Sequence, residues 1–264
     1  MKLALIGFGG IGQIVADHLS RDVGRPFIAV AARPHQHDAV HARLGPVACV
    51  TTPEALIAQA PDLVIECASH DAFRAYAPPV LAAGLDLVAV SVGVLAEAAL
   101  RSHVFETAHR SGASLQIPAG AIGAIDAIAA ARFSGLTEVA YVTRKNAATW
   151  AGTPAETLID LAAVREPTLF YDATAEEAAL LFKEKANVTA TLALAGLGFE
   201  DTRVRFWVDP AATHSMHHIE ARGACGTLQL DMANTVASQT SKASLQTAMS
   251  IVQTVRNRTA TLRF

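Results

Sequence analysis

Short apolar runs alternate with amphipathic stretches along the first half of the chain. The apolar runs predict buried strands at Leu3–Ile6, Phe27–Ala32, Leu63–Cys67, Leu85–Val90 and Ser114–Ile117. The stretches between them predict helices at Ile11–Leu19, Pro53–Gln59, Ala72–Ala83 and Ala96–His109. Continuous apolar strands separated by helices are typical of a parallel sheet that is covered on both faces. The pattern therefore predicts an N-terminal Rossmann-type domain, which is a doubly wound α/β fold.

The second half of the chain changes to strands of alternating or mixed polarity. The predicted strands are Glu138–Arg144, Arg203–Asp209, Met216–Ala221 and Thr227–Met232, and the predicted helices are Ala155–Val164 and Ala175–Leu197. Alternation is typical of a sheet with one face in water, so we expect a second α+β domain with a mixed or antiparallel sheet. We expect the first domain to span residues 1–120 and the second 121–239, with a last helix within about 240–264 that packs back on the first domain.

Composition narrows the class of protein without identifying it. Of the 264 residues, 52% are hydrophobic and 17% are charged, which is typical of a globular chain. The net charge is −3 and basic residues do not cluster, so neither nucleic acid nor an anionic membrane is expected as a partner. The longest apolar runs fall short of the roughly 20 residues that span a bilayer, and no signal peptide is visible. Three widely spaced cysteines, Cys49, Cys67 and Cys225, indicate reduced thiols in a cytoplasmic protein.

A glycine-rich turn joins the first predicted strand to the first predicted helix. Its sequence, Gly7-Phe8-Gly9-Gly10-Ile11-Gly12, has the spacing of a dinucleotide-binding turn in the expected strand–helix context. Gly7 permits the tight turn, Gly9 lets the backbone approach a pyrophosphate, and Gly12 lets the helix pack close to the strand. The amides at the helix start, including those of Gly10 and Ile11, are expected to face the phosphates. The alternative is an ordinary strand–helix turn.

The second predicted strand ends without the acidic residue that usually binds the adenosine ribose. The chain has Ala31-Ala32-Arg33 there, so no carboxylate repels a 2′-phosphate, and Arg33 is a candidate to bind that group. NAD or NADP is therefore the expected cofactor, and the alternative for Arg33 is a solvated surface position. Ligands bind beyond the carboxyl ends of parallel strands, so we also expect cofactor contacts from Ala68-Ser69 and Ser91-Val92.

Histidines in the second domain are the candidates for acid–base chemistry, because the pKa of imidazole lies near neutrality. Strand periodicity puts His217 on one face with Ile219 and Ala221. It puts His218 on the other face with Glu220, and that face is expected to be wet. His217 is then either a hydrogen-bonded core residue or a functional group. No histidine lies in a known ligand spacing with carboxylates or thiolates, so no metal site is expected.

Six blocks spread over nearly the whole chain carry a resemblance to a known family. They are Gly7–Gly12, Asp86–Gly93, Pro118–Gly123, Trp150–Ala155, Ala186–Leu192 and Ala195–Gly198. With these blocks the chain resembles the L-aspartate dehydrogenases, and the later blocks are much more specific than the glycine turn.

The resemblance implies an activity and roles for particular residues. The activity is oxidative deamination of L-aspartate to iminoaspartate, and then to oxaloacetate and ammonia, with NAD or NADP; the reverse amination is equally allowed. The resemblance implies that His217 is catalytic, that Ala121 and Asn187 contact the cofactor, and that the protein is a homodimer formed through the second domain. From the residues alone, Asn187 has the alternative role of a helix N-cap. Candidates to bind the two substrate carboxylates are Lys242, Ser244 and Arg144, of which the first two match a family motif near the last helix.

Two other functions remain as alternatives. A dihydrodipicolinate-type reductase also joins a dinucleotide domain to a mixed sheet, but its His-His pair is followed closely by lysine. Here His217-His218 is followed by Ile219–Arg222, which contains no lysine. A non-catalytic NAD(P)-binding sensor would use the second domain only for pairing, and would bind the dinucleotide without hydride transfer.

Overall fold

The computed structural model describes residues 1–24, 26–183, 186–234, 236–238 and 241–263, with only the backbone of residues 236–238 and 241–243. The chain forms two compact units. Unit 1 consists of Met1–Gly120 and Val236–Phe264, and unit 2 consists of Ala121–Thr235.

Unit 1 is built on a parallel sheet. Its strands are β1 (Leu3–Ile6), β2 (Phe27–Ala31), β3 (Ala48–Val50), β4 (Leu63–Glu66), β5 (Leu87–Ala89) and β6 (Leu115–Gln116). Its helices before the second unit are α1 (Gly10–Leu19), α2 (His37–Leu44), α3 (Pro53–Ile57), α4 (His70–Ala82) and α5 (Ala98–Ser111). The strands run in the order β3-β2-β1-β4-β5-β6, and every pair is parallel. This is the order of a Rossmann-type sheet, so the predicted fold class is confirmed.

The apolar runs of unit 1 form strands because both faces of the sheet are covered. Every residue of β1, β4 and β5 is buried. Helix α1 buries Gly12, Val15, Ala16 and Leu19, which lie on one face at helical spacing. Complete burial of a side chain such as Val15 or Leu19 stabilises the fold by about 1.5–3 kcal/mol. This packing fixes the start of α1 directly beyond the end of β1.

Unit 2 is built on a mixed sheet. Its strands are β7 (Leu136–Lys145), β8 (Thr168–Thr174), β9 (Thr202–Val208), β10 (Ser215–Gly223) and β11 (Gly226–Asn234). Its helices are α6 (Ile125–Ala131), α7 (Ala147–Trp150), α8 (Ala155–Leu158), α9 (Ala175–Leu181) and α10 (Ala186–Ala195). The strand order is β11-β10-β7-β9-β8, in which β7 and β9 are parallel and the other pairs are antiparallel. The predicted second α+β domain with a mixed sheet is confirmed.

Two predicted helices of unit 2 are wrong in extent. Helix α8 ends at Leu158 instead of Val164, because the side chain of Asp160 accepts a hydrogen bond from the Ala162 amide (3.1 Å) and favours a turn. The predicted helix Ala175–Leu197 is divided into α9 and α10. Phe182 leaves the helical conformation (φ −104°, ψ 59°), and its buried ring packs edge-on against Trp150. Tertiary packing therefore overrides the helical propensity of the alanine-rich sequence.

The C-terminal segment belongs to unit 1. It contains β12 (Val236–Ser238) and β13 (Ser241–Ser244), which pair antiparallel, and α11 (Leu245–Asn257). Helix α11 packs on α1 and adds Ala248, Ile251, Val252 and Val255 to the hydrophobic core of the parallel sheet. At its C-terminal end, Arg256 forms an ion pair with Asp22 at 2.9 Å.

Candidate active site

The turn between β1 and α1 requires glycine at two positions for different reasons. Gly7 has φ +93°, and a Cβ there would lie 2.6 Å from the Cβ of Ala68 in the turn after β4. A Cβ on Gly12 would collide with the carbonyl oxygen of Gly7. Gly9 differs, because a Cβ there would meet no described atom within 4 Å. The surrounding protein thus leaves no room for a side chain at Gly7 or Gly12, whereas at Gly9 there is free space that a ligand can occupy.

The N-terminus of α1 faces this open side without a side-chain cap. Gly9 is the residue before the helix, and no described side chain accepts a hydrogen bond from the first-turn amides. The amides of Gly10, Ile11 and Gly12 therefore keep the donors and the positive end of the helix dipole for an anion. This arrangement suits the pyrophosphate of a dinucleotide.

A cavity of about 500 Å³ opens beside the glycine turn. Five residues expected to contact the cofactor line it, namely Gly7, Gly9, Arg33, Ala68 and Ser69. No lining residue is an aspartate or glutamate, so this part of the described chain lacks the carboxylate that usually binds a ribose diol. Arg33 is exposed at the edge of the cavity. The lining of the cavity therefore agrees with the prediction that the end of β2 offers no acidic residue to the cofactor.

Two lining residues were missed by the sequence analysis. Gln36 donates from Nε2 to the Phe8 carbonyl (3.2 Å) and accepts at Oε1 from the Arg33 amide (3.2 Å), so it ties the turn after β2 to the glycine turn. Tyr76 of α4 also lines the cavity and is largely buried. Neither residue belongs to a motif with fixed spacing, so the sequence offered no signal for them.

A buried carboxylate links the ends of β4 and β5. Glu66 is fully buried and accepts hydrogen bonds from the Ala68 amide (2.7 Å), the Ser91 amide (3.0 Å) and the Ser91 hydroxyl (2.8 Å). Burial raises the pKa of Glu66, and these hydrogen bonds oppose the rise. The Ser91 hydroxyl is thus engaged inside the protein, and Val92 is fully buried at the start of a short 3₁₀ turn. Cofactor contacts from Ser91 and Val92 stay predictions.

His217 of β10 lies on the covered face of the mixed sheet. The alternation of buried and exposed residues along β10 confirms the predicted faces, with Ile219 on the same side as His217 and His218 on the other. His217 is 6% exposed, and its Nδ1 lies 2.7 Å from the hydroxyl of Tyr141 on the paired strand β7. The two rings stack with centroids 5.9 Å apart. Burial first, and then the positive charge of Lys145, lower the pKa of His217 to about 4.

The structure does not bring every predicted residue to this face. Arg144 is exposed on the opposite face of β7, where its guanidinium lies 4.9 Å from the ring centroid of Trp207. Asn187 is the second residue of α10, so it lies inside the helix and not at its N-cap. Ala121 lies near the start of unit 2, and its carbonyl accepts a hydrogen bond from the Asn234 side chain.

The two candidates near the last helix belong to unit 1. The hydroxyl of Ser244 caps α11 by accepting from the Thr247 amide (3.3 Å). The side chain of Lys242 lies outside the described part of the chain. Their roles as carboxylate-binding residues stay predictions.

Neither a metal centre nor a membrane-spanning helix is found among the described residues. Within them, no group of three or more histidine, cysteine, aspartate or glutamate side chains is arranged to hold a metal ion. None of the described helices combines the length and the apolar character needed to cross a bilayer.

Comparison with known proteins matches two families in succession along the chain. Residues 7–118 match the family described as the NAD-binding domain of homoserine dehydrogenase, and residues 126–258 match the family described as the C-terminal part of aspartate dehydrogenase. The parallel sheet, its glycine turn and the NAD-binding match define a nicotinamide-dinucleotide-dependent oxidoreductase.

Individual relatives identify the family. The chain is 44% identical to the L-aspartate dehydrogenase of Ralstonia nicotianae, over 98% of this chain and 97% of that protein. It is 38% identical to the L-aspartate dehydrogenase of Pseudomonas aeruginosa, over 97% of each. The crystal structure of aspartate dehydrogenase from Thermotoga maritima superposes with a TM-score of 0.75 and 25% identity, over 100% of this chain and 99% of that one. The chain belongs to the L-aspartate dehydrogenase family.

Proposed function

We propose that this protein catalyses the reversible, NAD(P)-dependent oxidative deamination of L-aspartate. The products are iminoaspartate and reduced cofactor, and water then converts the imine to oxaloacetate and ammonia. The observation that carries the proposal is His217, which is buried and forms a hydrogen bond through Nδ1 with the Tyr141 hydroxyl. The chain that contains it belongs to the L-aspartate dehydrogenase family. A bound nicotinamide supplies the hydride acceptor for the substrate Cα.

The two units contribute different groups to this reaction. In unit 1, the amides at the start of α1 bind the pyrophosphate, and the small residues at Gly9 and Ala68 leave room for the dinucleotide. In unit 2, His217 acts as the acid–base group. Because its pKa is lowered to about 4, the imidazole is neutral near neutral pH and can accept a proton.

Tyr141 sets the orientation of this base. When Nδ1–H of His217 donates to the Tyr141 hydroxyl oxygen, the lone pair of Nε2 is left to accept a proton from the amine or from the attacking water. Burial raises the pKa of Tyr141 far above its usual range, so its hydroxyl stays neutral and serves as a hydrogen-bonding partner. Tyr141 is therefore a positioning residue for His217.

Replacement of His217 tests the proposal directly. The variant His217→Ala should oxidise L-aspartate at least about 10²-fold more slowly than the wild type, because it lacks the acid–base group. The matched control is His218→Ala, which removes the neighbouring histidine from the opposite face of the same strand and should stay close to wild type. Near-normal turnover in His217→Ala, or an equal loss in both variants, would contradict the assigned role.

A spectrophotometric screen separates the proposed activity from the two alternatives. Amino acids are tested with NAD and with NADP while absorbance of the reduced cofactor is followed. L-Aspartate should give the fastest reduction. An inert aspartate would favour a dihydrodipicolinate-type reductase, and NAD(P)H binding without turnover of any amino acid would favour a sensor.

We also propose a cytoplasmic homodimer that forms through unit 2. The three free cysteines, Cys49, Cys67 and Cys225, suit a reducing compartment. The sheet of unit 2 ends in the edge strand β11, and Met216 is exposed on the face opposite His217, which suits an interface. Analytical ultracentrifugation should show a dimer, and a monomer at micromolar concentration would refute the assembly.

A further inference from the structure

Glu66, the last residue of β4, connects the turn after its own strand with the turn after β5. Its Oε1 accepts hydrogen bonds from the Ala68 amide (2.7 Å) and the Ser91 hydroxyl (2.8 Å), and its Oε2 accepts from the Ser91 amide (3.0 Å). Its main-chain carbonyl accepts a further bond from the Val90 amide (3.2 Å). One residue thus fixes the distance between the two turns.

The donors around this side chain require a carboxylate. A main-chain amide can only donate, and an ionised carboxyl group, which only accepts, satisfies the amides of Ala68 and Ser91 through its two oxygens. Burial raises the pKa of Glu66, and hydrogen bonds from Ala68, Ser91 and Ser69 oppose the rise. Because a buried charge is costly unless it is bonded in this way, the two turns and the carboxylate form one unit.

Both turns lie on one side of the glycine turn. The strand order β2-β1-β4-β5 puts the glycine turn, which follows β1, between Arg33 after β2 and the two turns that Glu66 connects. In a dinucleotide-binding sheet the adenosine ribose lies at the end of β2 and the pyrophosphate at the glycine turn. The nicotinamide half is then expected at the ends of β4 and β5. Glu66 therefore connects the turns on the nicotinamide side of the cofactor site.

The turn after β4 forms part of the wall of the cofactor cavity. Ala68 and Ser69 line the cavity beside the glycine turn. A Cβ on Gly7 would lie 2.6 Å from the Cβ of Ala68, so this turn and the glycine turn are in close contact. The hydrogen bond from the Ala68 amide to Glu66 thus fixes a part of the chain that shapes the cavity.

We propose that Glu66 is a positioning residue for the nicotinamide half of the bound dinucleotide. Because Glu66 is fully buried, it acts through the turns at Ala68 and Ser91 and not by contact with the cofactor. Hydride transfer requires a precisely placed nicotinamide, and small displacements lower its rate strongly. Turns that are fixed by one bonded carboxylate provide a rigid support for this placement. The role concerns cofactor binding, so it is tested without turnover of L-aspartate.

Glu66→Gln tests the role of the carboxylate with almost no change in size. The amide nitrogen of glutamine cannot accept a hydrogen bond, so one of the two turns loses its partner whichever way the side chain is oriented. Affinity for the reduced cofactor, NADH or NADPH, should fall at least about tenfold, as measured by fluorescence. Affinity for ADP, which carries the adenosine and pyrophosphate without the nicotinamide riboside, should stay that of the wild type by calorimetry. A merely structural role would weaken both ligands alike.

Asp86→Asn is the matched control. Asp86 also accepts a hydrogen bond from a main-chain amide, that of Ser114 (2.7 Å), and connects two neighbouring strands. It precedes β5, however, and so lies at the opposite end of the sheet from Glu66. This variant should keep wild-type affinity for both ligands, even where it lowers thermal stability. If Glu66→Gln weakens the reduced cofactor and ADP equally, or weakens neither, the inference is overturned.

Two further variants keep the test decisive. Ser91→Ala removes the hydroxyl bond to Glu66, and when it is combined with Glu66→Gln it should cost little more, because the link is already broken. Additive losses would contradict a role that Glu66 exerts through Ser91. Should Glu66→Gln not fold, Glu66→Asp replaces it, since the shorter side chain keeps the charge but does not reach both turns.

Failure of the proposed function would be distinguishable from failure of this role. If the wild type does not oxidise L-aspartate, but Glu66→Gln loses affinity for the reduced cofactor and keeps it for ADP, only the proposed function fails. If the wild type oxidises L-aspartate and Glu66→Gln binds both ligands as the wild type does, only the role of Glu66 fails.

Discussion

The buried imidazole of His217 makes the stability of unit 2 depend on pH. In the unfolded chain the pKa of His217 is near 6.5, and in the fold it is lowered to about 4, first by burial and then by Lys145. The unfolded chain therefore binds the proton first, and the contribution of the neutral imidazole to stability is lost as the pH falls from about 6.5 towards about 4. With about 1.4 kcal/mol per unit of pKa difference, the loss between about pH 7 and about pH 5 is about 2 kcal/mol.

Comparison with His217→Gln isolates this effect from the titration of carboxylates. Glutamine keeps a hydrogen-bonding group near Tyr141 but does not titrate, so the wild type should lose about 2 kcal/mol more than the variant between about pH 7 and about pH 5. Urea unfolding followed by tryptophan fluorescence is a suitable assay, because both tryptophans, Trp150 and Trp207, lie in unit 2.

The result that refutes the reasoning is well defined. If the unfolding free energies of wild type and His217→Gln change in parallel with pH, the imidazole is not held neutral by the fold. A smaller difference in Lys145→Met is expected, because that variant removes the second cause of the lowered pKa and leaves burial in place.

Two other predictions concern the cofactor cavity. Gly12→Ala should destabilise unit 1 by about 1–3 kcal/mol, because its Cβ meets the Gly7 carbonyl, whereas Gly9→Ala should leave thermal unfolding unchanged and weaken NADPH binding. If both substitutions changed thermal unfolding equally, the difference between close packing at Gly12 and free space at Gly9 would be refuted. Arg33→Asp should raise the KM for NADP much more than that for NAD, as measured in parallel kinetics; equal effects would show that Arg33 does not contact the 2′-phosphate.

The sequence predicted the parallel sheet better than the details of unit 2. Burial on both faces leaves an apolar run that is visible without any partner, as in β1 and β4. Strand β3 was missed because it has three residues, too few to show a period. Strand β8 was missed because its residues are only partly buried and do not alternate clearly. The break at Phe182 depends on packing against Trp150, which local propensity does not encode.

In the candidate site too, the sequence predicted what depends on neighbouring residues and missed what depends on contacts between distant segments. Alternation along β10 was enough to place His217 on the covered face, but only the family resemblance indicated a catalytic role for it. The contacts of His217 with Tyr141 and Lys145 depend on the register between β7 and β10, which are separated by about 70 residues of sequence and have no motif that fixes their pairing. Glu66 was missed for a related reason, since its role depends on Ser91 of another turn.

The contact between Gly7 and Ala68 changes what counts as the dinucleotide-binding motif. A side chain at position 7 would collide with Ala68, and a larger residue at position 68 would press on the turn from the other side. The two positions thus restrict each other's volume across about sixty residues of sequence. Gly12 extends the restriction, because a Cβ there would lie 3.5 Å from the Cys67 sulfur. During evolution, position 7 is therefore restricted to glycine even while residue 68 is alanine, and residue 68 must stay small while the turn is kept. A designer who transplants the glycine turn into another sheet must therefore bring the end of β4 with it.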